Sequence, residues 1–158
     1  ENMKLSEILE DYGGWLAFLV ATTAMLGSLY YSEIAGFIPC RLCWYQRILM
    51  YPLVAVTFVG ALRRDDYLPG YVLPLSIVGM GVSAYHYLME KGFVAASTTC
   101  AVDVPCNITY VNYFGFITIA FMAFVAFTLI TLIMFGMWNA YRRDAAGQLP
   151  IPGEEGAY

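Results

Sequence analysis

Long stretches without charge constrain this chain more than any other feature of its sequence. Residues 12–32 and 104–141 carry no charged side chain, and residues 67–89 carry none apart from His86. A helix of about 20 residues crosses a hydrocarbon core of about 30 Å, so each stretch is long enough to span a membrane. With 60% apolar and 13% charged residues, the chain also lacks the polar surface that a soluble domain of this size needs.

Hydropathy predicts an all-α membrane protein, a bundle of four transmembrane helices near residues 14–31, 40–62, 71–89 and 113–138. An outer loop over residues 90–112 joins the last two helices. These segments form one predicted membrane domain over residues 1–144. The tail at 145–158 shows no apolar periodicity, and we expect it to be disordered.

Basic residues near the helix ends predict the orientation. One side of the membrane carries Lys4, Arg63, Arg64, Arg142 and Arg143, whereas the other carries Arg41, Arg47 and Lys91. Because Lys and Arg favour the cytoplasmic side, we expect a multi-pass protein of the cell (cytoplasmic) membrane with both termini in the cytoplasm. All four cysteines then lie on the extracytoplasmic side, where disulfides form and persist.

The cysteines form two pairs, Cys40 with Cys43 at the start of the second helix, and Cys100 with Cys106 in the outer loop. Both could be structural disulfides. However, a bond across two residues closes a very small loop and contributes little through chain entropy, and such close pairs are often redox-active. The positive end of the helix dipole favours a thiolate, which we place at Cys43.

Two ionisable side chains lie unusually deep in the predicted helices. Arg47 and His86 are each fifteen residues from the cytoplasmic end of their helix, which is about 22 Å at 1.5 Å per residue. Arg47 also follows Cys43 by four residues, on the same helix face. Ionisable groups inside a membrane are costly and indicate function, and these two would suit the carbonyl oxygens of a lipid-soluble quinone.

Residues 39–47, Pro-Cys-Arg-Leu-Cys-Trp-Tyr-Gln-Arg, resemble the signature of the disulfide bond formation protein B family (DsbB), and more closely its short C-type (BdbC-like) members. Tyr85-His86-Tyr87 and the outer cysteine pair also fit that family, so the resemblance runs from the first helix to the fourth. One feature departs from the B-type members, in which a long segment separates the loop cysteines. Here only residues 101–105 lie between them.

The resemblance implies a membrane thiol:quinone oxidoreductase that sustains disulfide bond formation. Its partner would be an exported thioredoxin-fold dithiol oxidase of the DsbA or BdbD type, and its cofactor a quinone, either ubiquinone or menaquinone. Cys100 and Cys106 would meet the partner, with Cys100 as the site of attack. Cys40 and Cys43 would then reoxidise that pair, with Cys43 nearest the quinone.

The resemblance also implies that Arg47 and His86 bind the quinone ring, and aromatic residues such as Trp44 and Tyr45 would suit the walls of its site. No metal is expected. Membrane lipid is a further partner, whereas a net charge of −4 argues against nucleic acid.

Three alternatives stay open at this stage. Quinone reductases that resemble vitamin K epoxide reductase combine the same elements, but in them the Cys-x-x-Cys motif follows the loop pair. A non-enzymatic membrane protein could hold zinc on four cysteines. A purely structural four-helix protein could use both pairs as disulfides.

Overall fold

The computed structural model describes residues 2–95, 105–106 and 108–147. Helix α1 covers Asn2–Leu29 and continues as a π-helical turn over Tyr30–Ile34, and the other helices are α2 (Arg41–Arg63), α3 (Leu68–Glu90) and α4 (Ile119–Gly147). Each of the four contains a span long and apolar enough to cross a bilayer. The predicted class, an all-α bundle of four transmembrane helices, is confirmed.

The helices form a ring in which each packs against its neighbours in the chain and α4 closes against α1. The connections after α1 and α2 are short, which makes those successive helices antiparallel, and the bond of Thr118 to Glu90 brings the start of α4 beside the end of α3. The bundle therefore has two distinct ends. We call the end where α2 begins and α3 ends the cysteine end, and the opposite one the arginine end. At the arginine end Arg64, just after α2, lies 3.9 Å from Asp11 of α1.

The core forms where small residues admit side chains from a facing helix. Phe127 of α4 is fully buried, and a Cβ atom at Gly79 of α3 would overlap its ring. A Cβ at Gly60 would likewise overlap Leu68. Close approach at small residues is the usual basis of helix packing in membranes. Large apolar side chains such as Leu132 are exposed instead, as a surface in contact with lipid requires.

Helix α4 begins at Ile119, later than the sequence predicted, because the preceding turn is not helical. Phe114 and Gly115 have φ values of 54° and 83°, which a right-handed helix excludes. Thr118 then caps α4 by accepting a hydrogen bond from a backbone amide at 3.2 Å. The same hydroxyl donates to Glu90 at 2.6 Å, so this turn ties the end of α3 to the start of α4.

Two helices, α1 and α4, extend well beyond their predicted ranges. Helix α1 begins at Asn2 and its π-helical turn ends at Ile34, and α4 continues to Gly147. The predicted disordered tail therefore begins within a helix, and its residues 148–158 lie outside the described residues. Hydropathy detects only the part of a helix that is apolar enough to lie in lipid. The backbone hydrogen bonds of the helix continue into the polar sequence beyond that part, so the helices are longer than predicted.

Candidate active site at the cysteine end

Cys40 and Cys43 are a pair of free thiols at the start of α2. Cys40 is the N-cap residue with extended backbone, and its sulfur accepts a hydrogen bond from the Cys43 amide at 3.3 Å. An N-cap side chain reaches the amide of the third helical residue, so helix geometry itself brings the two side chains together. Their sulfur atoms are 3.0 Å apart, and a disulfide can close between them with little movement.

The structure favours Cys40 as the thiolate of this pair, whereas the sequence analysis placed it at Cys43. The hydrogen bond from the Cys43 thiol holds the pKa of the Cys40 thiol well below its usual range, although burial acts in the opposite direction, and His86 and the Cys43 amide add to the lowering. The helix cap adds to the lowering of this pKa. Because α2 begins at Arg41, the unpaired amides and the positive end of the dipole act on the Cys40 sulfur.

His86 connects the two halves of the candidate site. Its Nε2 atom lies 3.7 Å from the Cys40 sulfur and 3.2 Å from the carbonyl oxygen of Cys106. Its Nδ1 atom lies 2.9 Å from the amide nitrogen of Gln46. The imidazole is only 3% exposed, so these three contacts account for both ring nitrogens.

Gln46 is a site residue that the sequence analysis missed. Its side chain reaches from α2 to α3 and is 7% exposed. The sequence did contain a signal for it, because Gln46 is an amide side chain between Cys43 and Arg47 on a largely apolar helix. A buried amide is almost always hydrogen-bonded, so this position implied a polar partner on a neighbouring helix.

Cys106 brings the outer loop to the Cys-x-x-Cys pair. It is 1% exposed and disulfide-bonded, and it shares a small buried cluster with Cys40, Leu42 and Met89. A zinc site of four cysteines needs four thiolates, and the disulfide at Cys106 is incompatible with that arrangement. Cys100, the predicted site of attack, lies outside the described residues.

Arg47 points away from His86 and towards α1. Its guanidinium donates to the Ser28 hydroxyl at 3.0 Å and to the Ser28 carbonyl oxygen at 3.1 Å. It also lies over the ring of Trp44, 5.4 Å from the centroid. Gln46, the residue before Arg47, reaches His86 on α3, so the face of α2 that carries Arg47 is turned away from His86.

A cavity of about 550 Å³ lies beside the pair, between α1, α2 and α4. Cys43, Gln46 and Arg47 line it on α2, whereas Trp44, Tyr45 and His86 are not among its wall residues. The expectation that Trp44 and Tyr45 line this space is therefore wrong, because both side chains are largely exposed on the outside of the bundle.

Three aromatic rings form the wall of the cavity at the cysteine end. Tyr31 of the π-helical turn stacks on Phe37 with ring centroids 5.9 Å apart, and Phe37 stacks on Tyr110 of the outer loop at 4.9 Å. Gly36, with a φ of 72°, makes the turn that brings Phe37 between the other two. The outer loop therefore forms part of the cavity as well as contacting the cysteine pair.

The donor atoms of Cys40, Cys43 and His86 lie within 4.8 Å of one another, which is close enough for a soft metal ion. The hydrogen bonds described above already account for this closeness. The helix cap holds the two sulfur atoms, and Gln46 holds the imidazole against one of them. No metal ion is therefore required to explain how close these three side chains lie.

Comparison with known proteins shows the family to which the chain belongs. Residues 12–137 match the family described as "Disulfide bond formation protein DsbB". The chain belongs to this family. It is 52% identical over 112 residues to "Disulfide bond formation protein C" of Bacillus subtilis (strain 168), which covers 70% of this chain and 78% of the relative. It is 51% identical over 110 residues to "Probable disulfide formation protein C" of Halalkalibacterium halodurans, covering 69% and 78%. No solved structure matches the chain.

Membership of the DsbB family confirms the resemblance and sets aside the alternative based on vitamin K epoxide reductase. Together with the four spans, it makes the chain a multi-pass membrane protein with an oxidoreductase role in disulfide bond formation. The roles of Cys40, Cys43, Cys100, Cys106, Arg47 and His86 stay predictions.

Proposed function

We propose that this DsbB-family member is a thiol:quinone oxidoreductase that reoxidises an exported thioredoxin-fold dithiol oxidase and passes the electrons to a membrane quinone. The observation that carries the proposal is the position of the cavity. Cys43 and Arg47 both line the same space of about 550 Å³, so a redox-active sulfur and a fixed cation border one binding site.

The polar groups of the cavity suit a quinone, which has two carbonyl oxygens. A guanidinium has five N–H donors, and the two bonds of Arg47 to Ser28 leave others for a ligand oxygen. Tyr51, one helical turn further along α2, lines the same cavity, and its buried hydroxyl has no hydrogen-bond partner among the described residues. A buried polar atom without a partner is costly, and a ligand oxygen would satisfy it.

The remaining walls suit the rest of a quinone. The volume lies within the roughly 300–1,000 Å³ typical of small-molecule sites. The stacked rings of Phe37 and its neighbours offer a flat apolar surface for the quinone ring. Leu19 of α1 and Leu129 of α4 lie on the far walls, which offer an apolar path for an isoprenoid tail.

A bound quinone supplies an acceptor for two electrons and two protons. The chain's own residues form the disulfide and hold the quinone in place. Cys43 presents a sulfur to the cavity, and Cys40, with its sulfur 3.0 Å away, closes the disulfide. Arg47 binds and orients the acceptor, and the apolar walls exclude water that would stabilise the reduced pair.

The outer loop is where we expect the partner to react. A partner thiolate attacks the loop disulfide to form a mixed disulfide, and the second partner thiol resolves it. Cys106 is 1% exposed and hence a poor target, which supports Cys100 as the site of attack. The position of Cys106 and Cys40 in one buried cluster supports electron transfer onward to the Cys-x-x-Cys pair.

The orientation is part of the proposal. The arginine end, with two Arg-Arg pairs, faces the cytoplasm, and the cysteine end faces the oxidising side. Whole cells treated with a reductant and then with an impermeant maleimide should show labelled loop cysteines. Labelling that requires opened membranes would mean that the orientation is reversed.

The central experiment looks for quinone that is reduced at the expense of a dithiol. We expect the protein purified in detergent to carry quinone, and added dithiothreitol to reduce a short-chain ubiquinone or menaquinone at a rate proportional to enzyme. Protein with stoichiometric zinc and no dithiol-dependent quinone reduction would instead support the metal-binding alternative.

A matched pair of glycine variants tests the cavity itself. A Cβ atom at Gly27, on the cavity wall, or at Gly81, on α3 away from the cavity, would have no neighbour within 4 Å. Both Gly27→Leu and Gly81→Leu should therefore fold, since Gly is the poorer helix former by about 1 kcal/mol. Only Gly27→Leu should raise the quinone KM, because its side chain enters the cavity. Equal KM values for the two variants would remove the cavity from the proposal.

A further inference from the structure

The contacts of His86 are not those of a quinone ligand. Its side chain is 3% exposed and does not line the cavity that Cys43 and Arg47 border. One nitrogen instead reaches both the Cys40 sulfur at 3.7 Å and the Cys106 carbonyl oxygen at 3.2 Å. This nitrogen therefore lies at the junction of the two cysteine pairs.

We propose that His86 is a catalytic residue of disulfide exchange between the outer loop and the Cys40–Cys43 pair, and that Gln46 is the residue that positions it. The inference deepens the proposed function and rests on it, because it assumes that electrons pass between the two pairs. It gives His86 a role in thiol exchange in place of the predicted contact with the quinone ring.

The hydrogen bond from Gln46 determines which nitrogen of His86 carries the proton. The amide nitrogen of Gln46 lies 2.9 Å from Nδ1 and donates to it, so the neutral imidazole carries its proton on Nε2. Nε2–H can then donate to the Cys40 sulfur and to the Cys106 carbonyl oxygen. If the imidazole gains a second proton, a rotated Gln46 amide presents its oxygen to Nδ1–H, and both contacts of Nε2 persist.

The exchange itself consists of two substitutions at sulfur. The Cys106 thiolate attacks the Cys40 sulfur of the Cys40–Cys43 disulfide, and the electron pair of the broken bond leaves on Cys43. The Cys100 thiolate, its proton lost to water, then attacks the Cys106 sulfur, and Cys40 leaves as a thiolate. The result is a loop disulfide and a reduced inner pair, which is the combination seen here for Cys106, Cys40 and Cys43.

His86 assists both substitutions. In the first, its bond to the Cys106 carbonyl holds the loop over Cys40. In the second, Nε2–H stabilises the negative charge that develops on Cys40, and a better-stabilised thiolate leaves faster. A positioned donor of this kind contributes roughly 100-fold to a rate at the lower end of its usual range.

Among the described residues, few other titratable groups surround this contact. Cys40 and Cys43 face His86 from the start of α2, and Glu90 follows one turn later on α3. Glu90 accepts a hydrogen bond from Thr118 at the start of α4 and lies beside Lys91. A pH profile of Cys40 reactivity can therefore be compared among variants of His86 and Gln46 with these groups unchanged.

The first test measures exchange without quinone or partner. In Cys100→Ser protein the loop retains one cysteine, Cys106, whose attack on oxidised Cys40–Cys43 leaves a Cys40–Cys106 disulfide. The probe is the purified full-length protein, oxidised, stripped of quinone, quenched over time and mapped by mass spectrometry. Adding His86→Ala should slow formation of that bond by roughly tenfold, because the hydrogen bond that holds the Cys106 carbonyl over Cys40 is lost. The control is Ser83→Ala on the same helix face, because Ser83 is buried and, among the described residues, its hydroxyl donates only to carbonyl oxygens of α3. This variant should leave the rate unchanged.

The second test measures the Cys40 thiolate by iodoacetamide alkylation against pH, in reduced protein that lacks both loop cysteines. Loss of the donor in His86→Ala should move the profile of Cys40 to higher pH. Gln46→Glu should move it to lower pH, because a carboxylate beside Nδ1 stabilises the imidazolium, whereas Gln46→Leu should move it to higher pH. Opposite shifts at one position cannot come from general damage to the fold.

The inference is overturned if His86→Ala forms the Cys40–Cys106 disulfide at the unchanged rate and shows the unchanged pH profile of Cys40 alkylation. A raised quinone KM in that variant would then indicate that His86 binds the quinone. If wild-type protein exchanges disulfides but never reduces quinone, the proposed function fails while the role of His86 stands. The role of His86 and the proposed function can therefore fail independently of each other.

Discussion

The two ends of the bundle are held together by different contacts. Towards the arginine end, helices meet through apolar side chains that fill the space left by small residues, as Leu68 does at Gly60. At the cysteine end, hydrogen bonds between helices join Gln46 to His86 and Arg47 to Ser28, and an open cavity remains beside them. Stability is thus concentrated in one region and chemistry in the other, because disulfide exchange needs contacts that can break and re-form.

The largest effect should come from Cys43→Ser at the cysteine end. Without the sulfur that faces the cavity, quinone reduction by dithiothreitol should fall by roughly 10³-fold or more, while far-ultraviolet circular dichroism and the unfolding midpoint stay as in wild type. Cys100→Ser should chiefly abolish turnover of the partner. Wild-type rates of quinone reduction by Cys43→Ser would contradict the assignment.

A comparison of Gly79→Val with Gly81→Val probes the packing of α3 against α4 midway along the bundle. A Cβ atom at Gly79 would overlap the ring of Phe127, whereas one at Gly81 would have no neighbour within 4 Å. Overpacking costs typically 1–3 kcal/mol, so we expect Gly79→Val to lose about 3 kcal/mol of unfolding free energy and Gly81→Val to lose little. The measurement is thermal or denaturant unfolding in detergent. Similar stabilities for the two variants would show that this region tolerates more than its packing implies.

Arg47 tests whether a hydrogen bond at the cysteine end serves binding or stability. Arg47→Met should raise the quinone KM by about tenfold or more, since hydrogen bonds to a charged group contribute about 1.5–3 kcal/mol, yet the fold should survive because Met suits that depth better. The quinone KM of Arg47→Lys should fall between those of wild type and Arg47→Met, because one ammonium cannot reproduce the two hydrogen bonds that the planar guanidinium donates to Ser28. A quinone titration of purified variants measures this. A variant that unfolds readily but binds quinone normally would make Arg47 a structural residue.

The smallest effect should come from a polar contact within the packed region. Thr131 donates to the hydroxyl of buried Ser76 across α3 and α4 at 3.0 Å. Ser76→Ala should cost only about 0.6 kcal/mol, the average for such bonds in membrane proteins, and should leave quinone KM and thiol exchange unchanged. An unfolding curve with a loss above 2 kcal/mol would mean that polar contacts hold the arginine end as well.

Much of the fold was predictable because hydropathy and charge act along the chain. The uncharged stretches gave four spans, and the ranges of α2 and α3 differ from the predicted ones by only a few residues. The start of α4 was not predictable in this way. Residues 113–118 are uncharged and include Phe and Ile, and the backbone conformations of Phe114 and Gly115 are what separate them from the helix that follows.

The candidate site was likewise predictable from the sequence only in part. The sequence by itself placed Cys40 and Cys43 at a helix start and Arg47 and His86 at one depth, because depth follows from a rise of about 1.5 Å per residue. Only the tertiary structure decided which neighbour each side chain meets. Successive residues of a helix differ by about 100° in direction, so Gln46 turns to His86 while Arg47 turns to Ser28. That direction depends on how α1, α2 and α3 pack, which no single helix encodes.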